Sequence, residues 1–244
     1  MAAVTEISKP QISAVRHEGK EFPEVVKIAV LISNKGTGSN LQALIDAKKE
    51  RKLPKIEIGL VLSDQPDAKG LERAINHDIP YDVIPFQKGE NRDFYSSNIA
   101  LRLNQEGVGI CVMAGWARIL SEPYFRLFKG VTINVHPGLL PEVDKSPYLF
   151  PDGSKASWNQ GLMTEKAVAN FLGGNWAGST VHVATLNADS GPVIERTLVP
   201  VLPSDTVAIL YDRMKPEEHK ALVRALQYPK RIFDIAGRVN DSND

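Results

Sequence analysis

V-T-I-N-V-H-P-G-L-L-P, residues 131–141, carries the pattern on which the fold turns. Val131, Ile133 and Val135 alternate with Thr132, Asn134 and His136, which is the period of a strand, and Pro137 ends the run because proline cannot continue a central ladder. Asn134 and His136 therefore project from one face at the carboxyl end of a strand. Ligands of open α/β sheets gather just beyond those ends, so this amide and imidazole are the first candidate site residues.

Upstream, residues 25–33 (V-V-K-I-A-V-L-I-S) form a nearly continuous apolar run rich in β-branched residues, as expected of a strand covered on both faces. The glycine-rich loop N-K-G-T-G-S-N follows, and Leu41, Leu44 and Ile45 then mark one face of a helix. The alternation continues with a strand at 56–63, a helix at 68–76 with Leu71, Ala74 and Ile75 inward, and a strand at 81–86. A helix at 92–105 with Phe94, Tyr95, Ile99 and Leu103 on one face leads to a strand at 108–114, the turn G-W-A-R and a short helix at 121–127. This rhythm predicts a doubly wound, mostly parallel α/β sheet of Rossmann type, flanked by helices.

Downstream, residues 141–161 break the rhythm with three prolines and two glycines, which predicts an irregular loop before a helix at 162–172. Strands at 178–184 and 193–201 flank the turn N-A-D-S-G and predict an antiparallel edge. Asp205 is placed to cap a helix at 206–214, with a break before Pro216 and a second helix through Gln227. The segmentation is therefore an amino-terminal extension (1–24), one domain (25–228) with an atypical lid (142–177), and a carboxy-terminal tail (229–244).

The chain has 244 residues, 43% hydrophobic and 24% charged, an ordinary globular composition with enough apolar material for a sizeable core. Lys plus Arg and Asp plus Glu balance at 29 each, which removes the electrostatic case for nucleic acid or an anionic membrane as partner. The single Cys111 excludes an intramolecular disulfide and a multi-cysteine zinc site. With neither a spanning apolar run nor a signal-type pattern, the expected location is the cytoplasm.

Gly38, Ser39 and Asn40 offer backbone N–H groups at a helix amino terminus, a setting that favours phosphate over a mere tight turn. The loop is not a Walker motif, and it lacks the third glycine of the dinucleotide fingerprint. His136 is the candidate for acid–base work, whereas His182, inside T-V-H-V, reads as a hydrogen-bonded core histidine and His17 and His77 as surface residues. Asp189 sits in a turn, where aspartate commonly bonds its own backbone, and it acquires a role only if the fold carries it to His136. No two of His136, His182, Asp189 and His219 share a ligand-type spacing, so no metal is expected. A serine hydrolase is excluded by the missing nucleophile elbow, and K-P-E-E-H at 215–219 reads locally as a solvated helix start.

Together the blocks I-S-(N-K)-G-T-G-S-N-L-Q-A-L-I-D-A, A-G-W-A-R-I-L-S, N-V-H-P-G-L-L-P, D-S-G-P-V-I and K-P-E-E-H, in that order, resemble the folate-dependent formyltransferases. The resemblance covers roughly 26–141 and 178–227. It implies transfer of the formyl group of 10-formyltetrahydrofolate, a co-substrate, to the amine of glycinamide ribonucleotide in purine biosynthesis, with no metal. By the same resemblance Asn134, His136 and Asp189 are the catalytic trio, with Asp189 raising the pKa of His136. Gly38, Ser39 and Asn40 hold the phosphate, and Lys215, Pro216, Glu217 and Glu218 hold the rest of the ribonucleotide. Arg92, Ala117, Arg118, Ile119, Leu120, Thr185, Leu186, Asn187, Ala188 and Asp189, with Asn134, line the folate pocket. The partners implied are small molecules alone, bound by a monomer or homodimer.

The sequence departs from the family pattern in three places. Asn34 and Lys35 lengthen the phosphate loop, Gly138 stands where serine is usual, and residues 142–177 replace a short glycine-histidine element, with Lys145, Tyr148 or Trp158 available in its place. The alternatives are a different amine acceptor such as a sugar nucleotide or methionyl-tRNA, a formyltetrahydrofolate hydrolase, and a folate- or nucleotide-binding relative without turnover.

Overall fold

The computed structural model describes residues 22–33, 36–141 and 146–241. The expectations for 1–21, for Asn34 and Lys35 and for Lys145 lie outside these. Strands β1 (Val26–Ile32), β2 (Ile56–Ser63), β3 (Tyr81–Val83), β4 (Ile110–Met113), β5 (Val131–His136), β6 (Trp176–Val183) and β7 (Val193–Pro200) form one sheet in the order β3-β2-β1-β4-β5-β6-β7. The pairings from β3 across to β5 are parallel, and β5–β6 and β6–β7 are antiparallel. This is the mostly parallel sheet with an antiparallel edge that the residue pattern implies.

After β3 the chain returns to the middle of the sheet and lays β4 against β1, so the order reverses between these two strands. In open α/β sheets the loops leaving the carboxyl ends diverge at such a switch, which is where ligands characteristically bind. The register Leu31↔Met113 and Met113↔Asn134 brings the ends of β1, β4 and β5 level with one another.

The helices are α1 (Ser39–Lys49), α2 (Lys69–Ile75), α3 (Arg92–Gln105), α4 (Glu122–Leu127), α5 (Thr164–Ala169), α6 (Val207–Gln227) and α7 (Pro229–Asp241). The alternation within β1 explains how they are layered. Ile28, Val30 and Ile32 enter one core with Leu41 and Leu44 of α1, Leu222 of α6 and Ile232 of α7. Ala29 and Leu31 enter the opposite core with Tyr95 and Ile99 of α3 and Tyr124 of α4. A third cluster, in which Leu139, Phe150 and Phe171 meet Val199, Leu210 and Met214, gives the irregular segment its own buried floor. Among the described residues no helix is long and apolar enough to cross a membrane.

Several expectations are corrected. The break before Pro216 does not occur: α6 runs unbroken through it. An interior proline costs about 3 kcal/mol, but Leu210, Met214, Ala221, Leu222 and Ala225 bury a continuous stripe that outweighs one lost backbone bond. Thr206 rather than Asp205 caps this helix, its hydroxyl accepting from Ile209 N, while Asp205 pairs with Arg213 at 2.6 Å. Residues 229–241 are a helix rather than a tail, because Ile232 and Ala236, four apart, both reach the core. Ile75 and Phe94 face outward, and α5 is confined to Thr164–Ala169, shorter than the helix expected at 162–172.

Candidate active site

Asn134 and His136 lie on one face of β5, where antiparallel pairing sets Asn134 opposite His182 and His136 opposite Thr180. Thr180 holds the strand exit: its hydroxyl donates to the Gly138 carbonyl at 2.7 Å and accepts from Leu140 N at 3.2 Å. The turn after Pro137 is thereby fixed to the neighbouring strand, and the ring of His136 has a rigid base.

Asp189 arrives from the β6–β7 turn in the left-handed conformation, φ 49°. Its Oδ2 lies 3.4 Å from His136 Nδ1 and accepts from Gly161 N at 2.8 Å. Its Oδ1 lies 3.4 Å from His182 Nε2 and accepts from Asn134 Nδ2 at 3.3 Å. The carboxylate is therefore the meeting point of Asn134, His136 and His182, and the turn aspartate acquires the proximity that sequence left conditional.

His182 is buried and hydrogen-bonded as expected, with Nδ1 2.9 Å from the Val183 carbonyl, but it also belongs to this cluster. A carbonyl only accepts, so that Nδ1 carries a proton and Nε2 is turned towards Asn134 and Asp189. The T-V-H-V motif concealed this, since only the cross-strand register brings His182 beside Asn134.

Burial of the Asp189 carboxyl raises its pKa, yet His182, His136 and the Gly161 N–H more than offset this and hold it below the usual carboxylate range. Burial pushes the His136 imidazole below its ordinary value, outweighing Asp189 and the Trp158 carbonyl, which both favour the charged ring, while His182 lowers it further. The expected upward shift by Asp189 is thus reversed in net direction, because the ring is only 3% exposed.

The glycine loop reaches α1 through Gly38, whose φ of 70° is left-handed and whose Cβ, if present, would lie 2.7 Å from Gly70 Cα. Arg73 Nε steadies the loop by donating to the Thr37 carbonyl at 3.0 Å. Ser39 and Asn40 open the helix. The Ser39 hydroxyl is 3.1 Å from His219 Nε2, and Asn40 Oδ1 is buried with no hydrogen-bond partner among the described residues. The K-P-E-E-H motif is therefore mid-helix rather than a helix start, and His219, to which no binding role was assigned from sequence, ties it to Ser39 at the start of α1. Lys215 pairs with Asp212 at 2.8 Å and Glu217 with Lys220 at 2.6 Å. Glu218 is buried, accepts from the Ser179 hydroxyl at 2.6 Å, and is pushed up to about 7 by burial, against the opposing pull of Ser179 and Lys215.

On the other side of the β5 terminus, Ala117 N donates to Ser33 Oγ at 3.0 Å, joining the loop after β4 to the end of β1. Arg118 Nε pairs with the buried Asp64 at 2.5 Å and stacks its guanidinium 5.1 Å over the Phe86 ring. Leu120 is buried, Ile119 is 64% exposed, and Ser121 Oγ reaches the Arg92 carbonyl at 3.4 Å. Leu186 packs on the same apolar cluster as Leu120 and Trp116, and Thr185 Oγ1 donates to the Asn187 carbonyl at 2.8 Å. The two loops named as folate walls therefore flank one apolar floor, beside Asn134. Among the described residues no group of three or more His, Cys, Asp or Glu side chains is arranged to hold a metal ion.

Residues 26–226 match the family model described as formyl transferase. The chain is 39% identical over 201 residues to the human trifunctional purine biosynthetic protein adenosine-3, covering 82% of this chain and 18% of that protein, so it spans under a fifth of that relative's length. It is 34% identical over 195 residues to phosphoribosylglycinamide formyltransferase of Escherichia coli K12, covering 80% of this chain and 82% of that one. In three dimensions it is similar to glycinamide ribonucleotide transformylase 1 from Symbiobacterium toebii, with a TM-score of 0.70 at 32% identity over 86% of this chain and 91% of that one.

Proposed function

This chain belongs to the formyl transferase family, and from that premise we propose that it transfers the formyl group of 10-formyltetrahydrofolate to the amine of glycinamide ribonucleotide. The observation that carries the reading is the convergence of Asn134, His136 and Asp189 at the carboxyl end of β5. In this reaction a C–N bond forms between the glycyl amine and the formyl carbon, the bond from that carbon to folate N10 breaks, and one proton passes from the amine to N10.

Charge develops on the formyl oxygen during attack, and it requires donors already in place. Asn134 Nδ2 supplies one. Nε2–H of His136, the ring nitrogen turned away from Asp189, supplies the other, and a neutral imidazole can donate there. Asp189, held ionised 3.4 Å from the ring, stabilises the positive charge that develops beside it while the amine proton is in transit to N10.

On this reading Gly38, Ser39 and Asn40 cradle the phosphate at the α1 terminus, and Lys215 to Glu218, with His219 behind Ser39, face the ribonucleotide. The chemistry of the second side suits a folate: backbone groups of residues 117–120 and 185–189 border an apolar floor, with Arg92 and Arg118 as nearby cations. The functional unit is then the single domain from residue 25 through α7, acting in the cytoplasm on small molecules, as a monomer or homodimer, with 142–177 as its rebuilt lid.

The test is formyl transfer by the purified full chain, with glycinamide ribonucleotide as acceptor and formate release measured in parallel. Transfer to the ribonucleotide, with large losses in His136→Ala and Asp189→Asn, is the expected result. Folded protein that releases formate without transfer, or that leaves both substrates unchanged, overturns the proposal.

A further inference from the structure

Residues 157–161, within the segment that departs most from the family pattern, make contacts to the site that the trio alone does not explain. The main-chain carbonyl of Trp158 lies 2.8 Å from His136 Nε2. The indole N–H of the same residue donates to the Asp189 carbonyl at 2.7 Å, and Gly161 N–H donates to Asp189 Oδ2 at 2.8 Å. Gln160 Nε2 donates to the Ala188 carbonyl at 2.9 Å. Both sides of the His136–Asp189 pair are thus held by one short stretch of chain.

That stretch is itself anchored. Asn159 adopts a left-handed φ of 58° and is 7% exposed, and its amide donates to the Pro137 and Ala167 carbonyls at 3.1 and 2.9 Å while its oxygen accepts from Asn170 at 2.9 Å. Leu139 N donates to the Ser157 carbonyl at 3.1 Å. A strained conformation with every side-chain polar atom engaged is one that its surroundings over-determine.

Gly138 completes the arrangement. A Cβ there would lie 2.2 Å from the Trp158 carbonyl oxygen and 2.6 Å from His136 Nε2, so any larger residue excludes the Trp158 contact. The absence of a side chain at 138 and the Trp158 contact therefore go together.

We propose that Trp158 is a positioning residue of the formyl-transfer centre, its carbonyl fixing the proton of His136 on Nε2 and its indole N–H fixing the Asp189 turn, with Gly138 free of a side chain to admit it. The proposal rests on the formyl-transfer reading for its catalytic consequence, and on geometry alone for the tautomer. The chemistry is a competition for one proton. Left to Asp189, a neutral His136 would place its proton on Nδ1 and present a lone pair at Nε2, which cannot donate to a developing oxyanion. The Trp158 carbonyl, at 2.8 Å against 3.4 Å for the carboxylate, holds the proton on Nε2 instead. A formyl oxygen arriving there shares this N–H with the anchored Trp158 carbonyl and finds the donor already made.

The test is the ¹⁵N spectrum of His136 in the full chain above its titration range, assigned by comparison with His136→Gln. The wild-type protein is expected to show the Nε2–H pattern, and an Nδ1–H pattern overturns the proposal without need of any variant or activity. In Gly138→Ala the pattern is expected to move towards Nδ1–H and the titration to shift down, since an acceptor favouring the charged ring is lost. In Trp158→Phe, which keeps the carbonyl but not the indole donor, kcat is expected to fall by about tenfold to a hundredfold with KM little changed. Folded variants with unaltered tautomer, titration and kcat overturn the proposal. Failure of the wild-type enzyme to transfer formyl groups would defeat the functional reading while leaving the tautomer result to stand or fall by itself.

Discussion

His136 Nδ1 stands 3.4 Å from Asp189 Oδ2, with the imidazole only 3% exposed. Attraction between the two favours the charged ring, yet burial wins and His136 titrates below its ordinary value near 6.5. Replacing Asp189 by Asn removes the opposing Coulomb contribution, so the titration is expected to fall further still. NMR titration of the full chain and of Asp189→Asn checks this, and a variant that titrates higher would show that the carboxylate is not what supports the charge.

The same depression links His136 to stability. A histidine whose folded pKa lies below its unfolded value contributes stability that is present above about 6.5 and is lost as pH falls through the folded pKa. Unfolding of the wild type and of His136→Gln by denaturant, compared from pH 7.5 down to 5, should show the wild type losing ground to the variant. Parallel curves would argue that the ring is not desolvated.

Asn134 donates to Asp189 and, on the proposed mechanism, to the formyl oxygen during attack. Asn134→Ala should lower kcat by about a hundredfold to a thousandfold, the usual effect of removing one oxyanion donor. Asn134→Asp, which is isosteric but replaces the amide donor by an acceptor, should be at least as severe. Steady-state kinetics with both substrates saturating distinguish this from weakened binding, which would raise KM and leave kcat intact.

Glu218 is pushed up to about 7 by burial on α6. Its folded pKa lies above the unfolded one, so its relative stabilisation is present below about 4.5 and disappears as pH rises through 7. Glu218→Gln retains an acceptor for the Ser179 hydroxyl without the charge, and should gain a few kcal/mol on the wild type between pH 5 and 8. Melting temperatures of the two proteins across that window provide the measurement, and a constant difference would mean that Glu218 ionises as an exposed carboxylate does.

Arg118 is the ion-pair partner of Asp64, which is 1% exposed. Removing the guanidinium strands a buried carboxylate, so Arg118→Ala should cost about 3 kcal/mol. Asp64→Asn in the same chain should restore much of that loss, because the stranded charge is gone. Additive losses in the double variant, read from chemical denaturation, would place the cost of Arg118→Ala in lost packing on Phe86 instead.

Short-range periodicity determined much of this protein from sequence alone. The continuous apolar runs at 26–32 and 56–63, each followed by a turn and a helical stripe, and the alternating run at 131–136 suffice for a parallel α/β sheet, because side-chain period and local sterics are properties of a few neighbouring residues. The same local logic put Asn134 and His136 on one face and Gly38 at a helix start, and the buried stripe of α7 was equally open to reading in Ile232 and Ala236. Only tertiary structure decided what these groups do to one another. Register between β5 and β6 brought His182 to Asn134, closure of the β6–β7 turn carried Asp189 to His136 across 53 positions of chain, and burial from several elements reversed the direction of the His136 shift. The Trp158 carbonyl was the least legible contact of all, since it is a main-chain atom that no side-chain pattern encodes, admitted to His136 by the missing Cβ of Gly138. Such contacts depend on where distant segments pack, and local sequence does not specify the distances between them.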